Sequence, residues 1–417
     1  MTLRIAYLTG EYPRATDTFI QREVAALRAH GLAVETCSMR RTGPEHHVGE
    51  EQRQEAARTF HVLEETRKPL HLISTHFQTL LRSPSSYFKA LSLALKTSPG
   101  GIKPTLYQLI YFAEAAILAR HLRDSGAEHL HNHIAKSSCT VAMLASALSG
   151  IPYSFTLHGP DIFFEPIHWR LDEKIKRASF VACISDFCRS QAMSFSRPAD
   201  WSKLHIIHCG VDPARYAPKP RKRGAQLLFV GRLAAVKGLP VLFDALSQIN
   251  HPGLSLAIIG DGPDRAALER QAQQLGLADK VDFMGYRSQA EVAAMLADTD
   301  LLTLPSFAEG VPVVLMEAMA GEVPVVTTQI AGIPELVEHG KSGLLVPPGN
   351  MKKLAEAIEE ILKNHDTSTK MGQAGRAKVI ADFNSTDEAN RLAQLFTAYH
   401  TENRTEHTPP IRPEVTP

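Results

Sequence analysis

Short apolar runs recur along the whole chain, each followed by a turn and then by a longer segment whose apolar positions return every three or four residues. The first run covers residues 3–8 and leads into the loop Thr9-Gly10-Glu11-Tyr12-Pro13. A helix is predicted over residues 18–30, ending at Gly31, the residue type best suited to the left-handed backbone of a helix C-cap. Runs at 32–37, 129–133, 153–157, 180–184 and 204–207 read as further strands, and residues 45–125 as mostly helical. Cys209-Gly210-Val211-Asp212-Pro213 looks like a linker. The alternation then repeats, with strands at 227–230, 255–259, 281–284, 301–304, 323–327 and 343–346. Strands alternating with helices at this spacing build parallel sheets with right-handed crossovers. The expectation is an α/β protein of two Rossmann-like domains, residues 1–208 and 209–385. Two such sheets facing each other form a cleft, with ligands at the carboxyl ends of the strands.

Composition narrows the class. A chain of 417 residues exceeds one ordinary core, which agrees with two domains. A net charge of +1 gives no case for a nucleic-acid partner. Five cysteines form no Cys-x-x-Cys pair, which suits a reduced, cytoplasmic setting. The opening MTLRIAYLTG reads as a strand rather than a signal peptide, and no apolar run reaches the roughly 18 residues of a membrane span. A soluble protein, or one peripheral to the inner face of a membrane, is expected. The tail 401–417 is rich in Pro, Glu and Thr and is expected to be disordered.

The chemistry concentrates in PSFAEGVPVVLMEAMA, residues 305–320. A buried strand leads into a turn at Glu309-Gly310-Val311-Pro312, and a helix starts at Val313. The N–H groups at a helix start are unpaired and partly positive, a ready anion site. Glu317 sits among Val313, Val314, Leu315, Met316, Ala318 and Met319, and a carboxylate buried in such surroundings needs a partner or a ligand. Glu309 is placed to face a reacting sugar and Glu317 hydroxyls further back, most simply a ribose. Two glutamates near a helix start can equally serve the helix dipole alone.

That run, with FVGRLAAVKG at 229–238 and FTLHGPD at 155–161, resembles the retaining glycosyltransferases of the GT-B fold, the family 4 group. The resemblance spans the chain from the first strand to about residue 398. It implies a nucleotide diphosphate sugar as donor, UDP ahead of GDP by family habit, and a helix at 386–400 crossing back onto the first domain. Arg232 and Lys237, after a strand end, are implied as diphosphate clamps, with the N–H groups of Val313 and Val314 helping and Gly310 in the turn. Two cations there can neutralise a departing diphosphate, so no metal and no cofactor are expected. His158, in the His-Gly-x-Asp spelling, is implied to contact the donor sugar, with Asp161 orienting the loop. Gly260 is implied to line the nucleotide site and Tyr286 to lie where the base binds, while the Asp261 and Asp264 pair has helix capping as its plain reading.

The family often has two glycines after the first strand. Here Gly10 stands alone before Glu11 and Tyr12, which leaves Gly10 at the donor and points Tyr12 toward the acceptor. The string Tyr7-Leu8-Thr9 to Tyr12-Pro13, then Thr18-Phe19-Ile20 and Glu23, resembles a bacterial subgroup that builds exopolysaccharides, including colanic acid-type enzymes. That implies a glycan or lipid-linked acceptor. His129, His131 and His133 share one strand face by their period of two, open to a structural, a cleft-lining or a metal reading. Asp298-Thr299-Asp300 precedes a strand and reads as a loop after a helix.

Between residues 68 and 123 the basic residues Lys68, Arg82, Lys89, Lys96, Lys103, Arg120 and Arg123 are interleaved with apolar ones, and the single acidic residue is Glu114. Such a stretch can lie on an anionic membrane, or can be core-facing helices with solvated lysines. Two other classes stay open from sequence: a nucleotide-sugar epimerase on the same fold and a non-catalytic nucleotide-sugar-binding subunit. A dinucleotide dehydrogenase is poorly supported, because no strand is followed by G-x-G-x-x-G.

Overall fold

The computed structural model describes residues 2–14, 17–47, 49–218 and 224–404, with the backbone alone for Asp161 and residues 402–404. Two parallel sheets organise it. The first contains β1 (Arg4–Glu11), β2 (Ala33–Arg40), β3 (Phe60–His61), β4 (His129–His133), β5 (Tyr153–Leu157), β6 (Val181–Cys183) and β7 (Leu204–Ile206) in the order β3-β2-β1-β4-β5-β6-β7. The second contains β8 (Gln226–Val230), β9 (Ser255–Ile259), β10 (Val281–Gly285), β11 (Leu301–Leu304), β12 (Val325–Thr328) and β13 (Leu344–Val346) in the order β10-β9-β8-β11-β12-β13. This is the two-domain GT-B architecture.

The central strands are buried throughout much of their length, because parallel strands are covered on both faces, and in β4 the buried positions include three histidines. β5 and β11 are buried at every position. Strand order reverses between β1 and β4 and again between β8 and β11, and at such switch points the loops diverge and leave a crevice. The segments after β8 and β11 are those that carry Arg232, Lys237, Glu309 and the helix Val313–Ala320.

Three details differ from the pattern in the sequence. β3 is a two-residue strand inside the region expected to be helical; it pairs Phe60 with Cys37 and His61 with Ser38 at the sheet edge, and is too short to show a period. β12 begins at Val325 rather than at 323, since Pro324 has no N–H to give the ladder. The last helix runs from Ser385 to Arg404, so residues 401–404 of the expected tail are helical, while 405–417 lie outside the described residues.

That last helix buries Ala389, Leu392 and Phe396 against Ile5, Tyr7, Ile20, Val24, Leu27 and Phe180 of the first domain. The chain therefore passes between domains twice. The two passages lie side by side: Val211 N–H donates to Phe383 O at 3.0 Å and Ser385 N–H to Val211 O at 2.9 Å.

Three successive helices, Pro69–Arg82, Pro84–Lys96 and Ile102–Asp124, form an annex on the first domain. Its innermost helix carries Glu114, which is buried yet has no hydrogen-bond or ion-pair partner among the described residues. Burial lifts its carboxyl from the ordinary 4.5 to about 7, with Arg40 pulling weakly the other way. A raised folded-state value means that the native protein holds this proton longer than the unfolded chain. Stability is thus lost as pH rises from about 4.5 to 7 and is not regained above it. Glu114→Gln is expected to stabilise the protein by about 1–3 kcal/mol at pH 8 and by much less at pH 5. Urea unfolding at both pH values tests this, and an equal effect at the two would show that the carboxylate is not buried unpaired.

Candidate functional site

The second domain builds one wall of the interdomain cleft. Arg232 follows β8, and Lys237 ends a single turn at 235–237 before Gly238. Gly238 has φ +68°, and a Cβ there would sit 2.1 Å from Pro305 O, so only glycine lets the loops after β8 and β11 touch. This contact brings Lys237 Nζ to 2.5 Å from Glu309 Oε1. Ser306 Oγ donates to the same oxygen at 2.7 Å. The helix Val313–Ala320 starts after Pro312 with no side-chain cap. Gly260, φ +127°, lets β9 pass against Gly231 O, which a Cβ would meet at 2.0 Å.

Glu317 resolves the need of a buried carboxylate in an unforeseen way. Its Oε1 takes Arg22 Nη2 at 2.5 Å and Tyr216 OH at 2.9 Å. Arg22 comes from the other domain, on the helix Thr18–Ala29, and its Nε also donates to Gln289 Oε1 at 3.1 Å. Glu309 and Glu317 share one design. Each is anchored through Oε1, and each Oε2 has no hydrogen-bond partner among the described residues.

The first domain contributes His158, just past β5. Its Nε2 lies 2.9 Å from His133 Nδ1, His133 Nε2 lies 3.0 Å from Glu23 Oε1, and Tyr7 OH donates to that oxygen at 2.8 Å. The carboxylate end sets the sense of this chain. Glu23 accepts from His133 Nε2–H, His133 Nδ1 accepts from His158 Nε2–H, and His158 Nδ1 accepts from the Cys209 thiol at 3.7 Å. Phe19 holds the ring from the side, with centroids 4.8 Å apart. Burial, and then the neighbouring His133, push the His158 imidazole well below the usual histidine range.

The domains meet tightly around these groups. A Cβ on Gly310 would sit 2.2 Å from His158 O. Glu335 of the second domain accepts the N–H groups of Asp186 and Phe187, both at 2.8 Å, at the start of the helix Asp186–Ser194.

One cleft cavity of about 460 Å³ gathers most of the residues named from sequence. Thr18, His158, Arg232, Lys237, Gly260, Tyr286, Glu309, Gly310, Val313, Val314 and Glu317 all line it. Gly10 does not: it lines a neighbouring cavity within the first domain, because β1 runs through it to Glu11. Tyr12 is buried away from the cleft, its OH donating to Glu55 at 3.2 Å. His131 is a core residue, with both ring nitrogens 2.8 Å from the hydroxyls of Ser154 and Thr156. His133 is fully buried and reaches the cleft only through His158. Asp161 opens a one-turn helix, and its side chain lies outside the described atoms. The ligand atoms of Glu23, His131 and His133 lie within 4.8 Å of one another. Each ring nitrogen of the two histidines already has a hydrogen-bond partner, so a hydrogen-bonded cluster accounts for the trio. Asp264 starts the helix Arg265–Gln274 without a side-chain cap; Asp261 instead accepts from Gly262 N–H and Arg265. Asp300 takes the N–H groups of Gly224 and Gln226, a loop role as read from sequence.

Sequence reasoning missed Arg22 and Gln289, and named Glu23 without a role. The signal available was a run of polar residues on the face of 18–30 nearest the carboxyl end of β1.

The family model described as Glycosyltransferase Family 4 matches residues 17–215, and the one described as Glycosyl transferases group 1 matches 213–378. The putative colanic acid biosynthesis glycosyltransferase WcaL of Escherichia coli (strain K12) is 30% identical over 416 residues, covering 95% of this chain and 100% of that protein. Its namesake from Salmonella typhimurium is 29% identical over 423 residues, covering 94% and 99%. Of solved structures, sucrose-phosphate synthase from Thermosynechococcus elongatus superposes with a TM-score of 0.74 at 20% identity, covering 96% of this chain and 99% of that one. Anabaena HepE in complex with UDP gives 0.70 at 18%, covering 95% and 100%. At these identities the structures speak to the fold.

Arg22 and Glu317 form a buried pair, and removing one partner strands the other's charge. Arg22→Ala is expected to cost about 3–5 kcal/mol, and Arg22→Leu with Glu317→Leu to recover part of it. Urea midpoints of the three proteins decide; an unchanged midpoint in Arg22→Ala would mean that the pair does not form in solution.

Proposed function

The chain belongs to the family 4 glycosyltransferases, and from that premise we propose that it moves a sugar from a nucleoside diphosphate sugar, with retention, to an acceptor hydroxyl in exopolysaccharide assembly. The observation that carries this reading is the meeting in one cleft of Arg232, Lys237 and an uncapped helix start with His158 from the opposite domain.

In this mechanism the acceptor oxygen attacks the anomeric carbon on the face from which the diphosphate departs. The carbon–oxygen bond to phosphate breaks, and the hydroxyl proton passes to the departing phosphate oxygen. Arg232, Lys237 and the N–H groups of Val313 and Val314 offset the growing charge, so the reading needs no divalent ion. Glu309 Oε2 and His158 hold the donor sugar, and Glu317 Oε2 takes the ribose hydroxyls. UDP is placed ahead of GDP as the carrier; the UDP complex of a protein with this fold is in line with that.

The acceptor is read as lipid-linked, which would bring the enzyme to an anionic membrane surface. The annex supports this. Leu70 and Ile102 are 83% and 84% exposed, and Ile73, Phe77, Leu81, Phe88 and Leu106 are exposed with them. An apolar face this broad, on helices that also carry Arg82, Lys89, Lys96 and Lys103, suits insertion among lipid headgroups. Among the described residues no helix is long and apolar enough to cross a membrane.

Two measurements test these readings. In a thermal-shift panel with UDP, GDP, ADP and CMP, one nucleotide is expected to raise the melting point by a few degrees, as ~2.7 kcal/mol at 100 times Kd does, and to fail with Arg232→Ala. No shift by any nucleotide in a folded sample would remove the donor site. Sedimentation with phosphatidylglycerol-rich vesicles is expected to capture the wild type, with less capture by pure phosphatidylcholine or after Phe77→Asp with Leu81→Asp. Equal capture throughout would sink the membrane reading.

A further inference from the structure

Beside the donor cleft lies a second cavity of about 280 Å³, wholly within the first domain. Arg14, Asp17 and Ile134 line both, so the two share a wall. On its far side the cavity is lined by the helix Ile102–Asp124, through Tyr107, Ile110, Tyr111 and Glu114, of which Tyr107 and Ile110 are half-exposed at the cavity's outer rim. These are positions i, i+3, i+4 and i+7, a single stripe along that helix. Ile102 and Leu106 of the same helix are more exposed still, on the annex. The cavity thus stands between the annex and the catalytic cleft.

Its lining is unlike packed core. Glu114 is buried, lines the cavity and has no hydrogen-bond or ion-pair partner among the described residues. Arg14 Nε lies 3.7 Å from Glu11 and 3.9 Å from Asp17 but makes no hydrogen bond among the described residues, and Thr9 Oγ1 makes none among them either. A buried polar group left without a partner is costly unless something arrives to satisfy it. Ile134, on the shared wall, is held at φ +70°, a strained value for a β-branched residue.

The chemistry of the lining selects a class of occupant. Glu11, Asp17 and Glu114 disfavour an anion, while Arg14 and Arg40 disfavour a cation. A neutral, hydroxyl-rich ring suits both sets, because carboxylates accept from hydroxyls and guanidinium groups donate to them. The Tyr107 and Tyr111 rings stack with centroids 6.3 Å apart and offer apolar faces to the C–H side of a sugar. At about 280 Å³ the space falls just below the range of drug-sized sites, a size for one sugar ring rather than several.

We propose that this cavity is a saccharide subsite for the acceptor, in which the Glu114 carboxylate receives hydrogen bonds from the hydroxyls of the sugar next to the reacting one. The proposal deepens the glycosyltransferase reading and rests on it, yet it concerns residues that take no part in donor binding.

The test is saturation-transfer NMR on the full chain with UDP present. The probes are the octyl glycosides of glucose, galactose, mannose, fucose and N-acetylglucosamine. At least one is expected to bind the wild type and to bind Glu114→Gln and Glu114→Leu at least tenfold more weakly. Both variants remove a buried unpaired carboxylate and should fold at least as well, so misfolding would not account for the loss. No binding by any probe, or equal binding by all three proteins, would overturn the subsite. Arg232→Ala separates the two readings. Glycoside binding that depends on Glu114 but survives without a UDP response upholds the subsite. A UDP response without Glu114-dependent binding removes the subsite and leaves the donor reading standing.

Discussion

Glu317 is a carboxylate on a helix whose neighbours in sequence are all apolar, and everything around the cleft is arranged to satisfy it. A charge there is affordable only with a partner. The partner, Arg22, belongs to the other domain, so meeting this one electrostatic demand draws the two sheets together. Once they are together, Gly310 lies against His158 O and Glu335 caps the helix Asp186–Ser194. The position of His158 relative to Arg232 and Lys237 is then a consequence of closure rather than of either domain alone. The closed arrangement also uses Glu317 sparingly, binding Oε1 and leaving Oε2 without a hydrogen-bond partner among the described residues.

How much of this the sequence revealed depends on how far apart the interacting parts lie. Strands such as β8, β9 and β11 are mostly apolar, so their runs are legible, and so are the residues that follow β8 and β11. A two-residue strand at Phe60 and His61 has no period to detect. Arg22 and Glu23 sit on an amphipathic helix among residues that look solvated, and only the second domain and β4 turn that face into an interior. Tyr12 was misplaced toward the acceptor because nothing nearby shows that Glu55, on a later helix, takes its hydroxyl.

The histidines of β4 teach the same lesson at longer range. Alternation puts His129, His131 and His133 on one face but does not say what covers that face. The cover comes from the end of the chain: Phe396 lies 5.3 Å from His129 and 5.2 Å from His131. Two of the three are therefore core residues satisfied by hydroxyls of β5, and the third, nearest the strand's carboxyl end, links Glu23 to His158. Position along the strand, not residue type, separates the core histidines from the one that reaches toward the cleft.

Glu114 carries the argument furthest from the motifs. In sequence it is the single acid in a basic amphipathic stretch, and a solvated position would be the natural reading. Burial without a partner makes it the reverse, a group whose ionised form destabilises the fold. Arg40 is too weak a neighbour to remove that cost. The same helix that bears Glu114 toward the cleft turns Ile102 and Leu106 outward on the annex. A chain of sugars anchored at the annex side would have to pass this carboxylate to bring a hydroxyl to the donor. On the proposed acceptor path, the instability of this unpaired acid in isolation and its usefulness to a polyhydroxylated ligand have one cause.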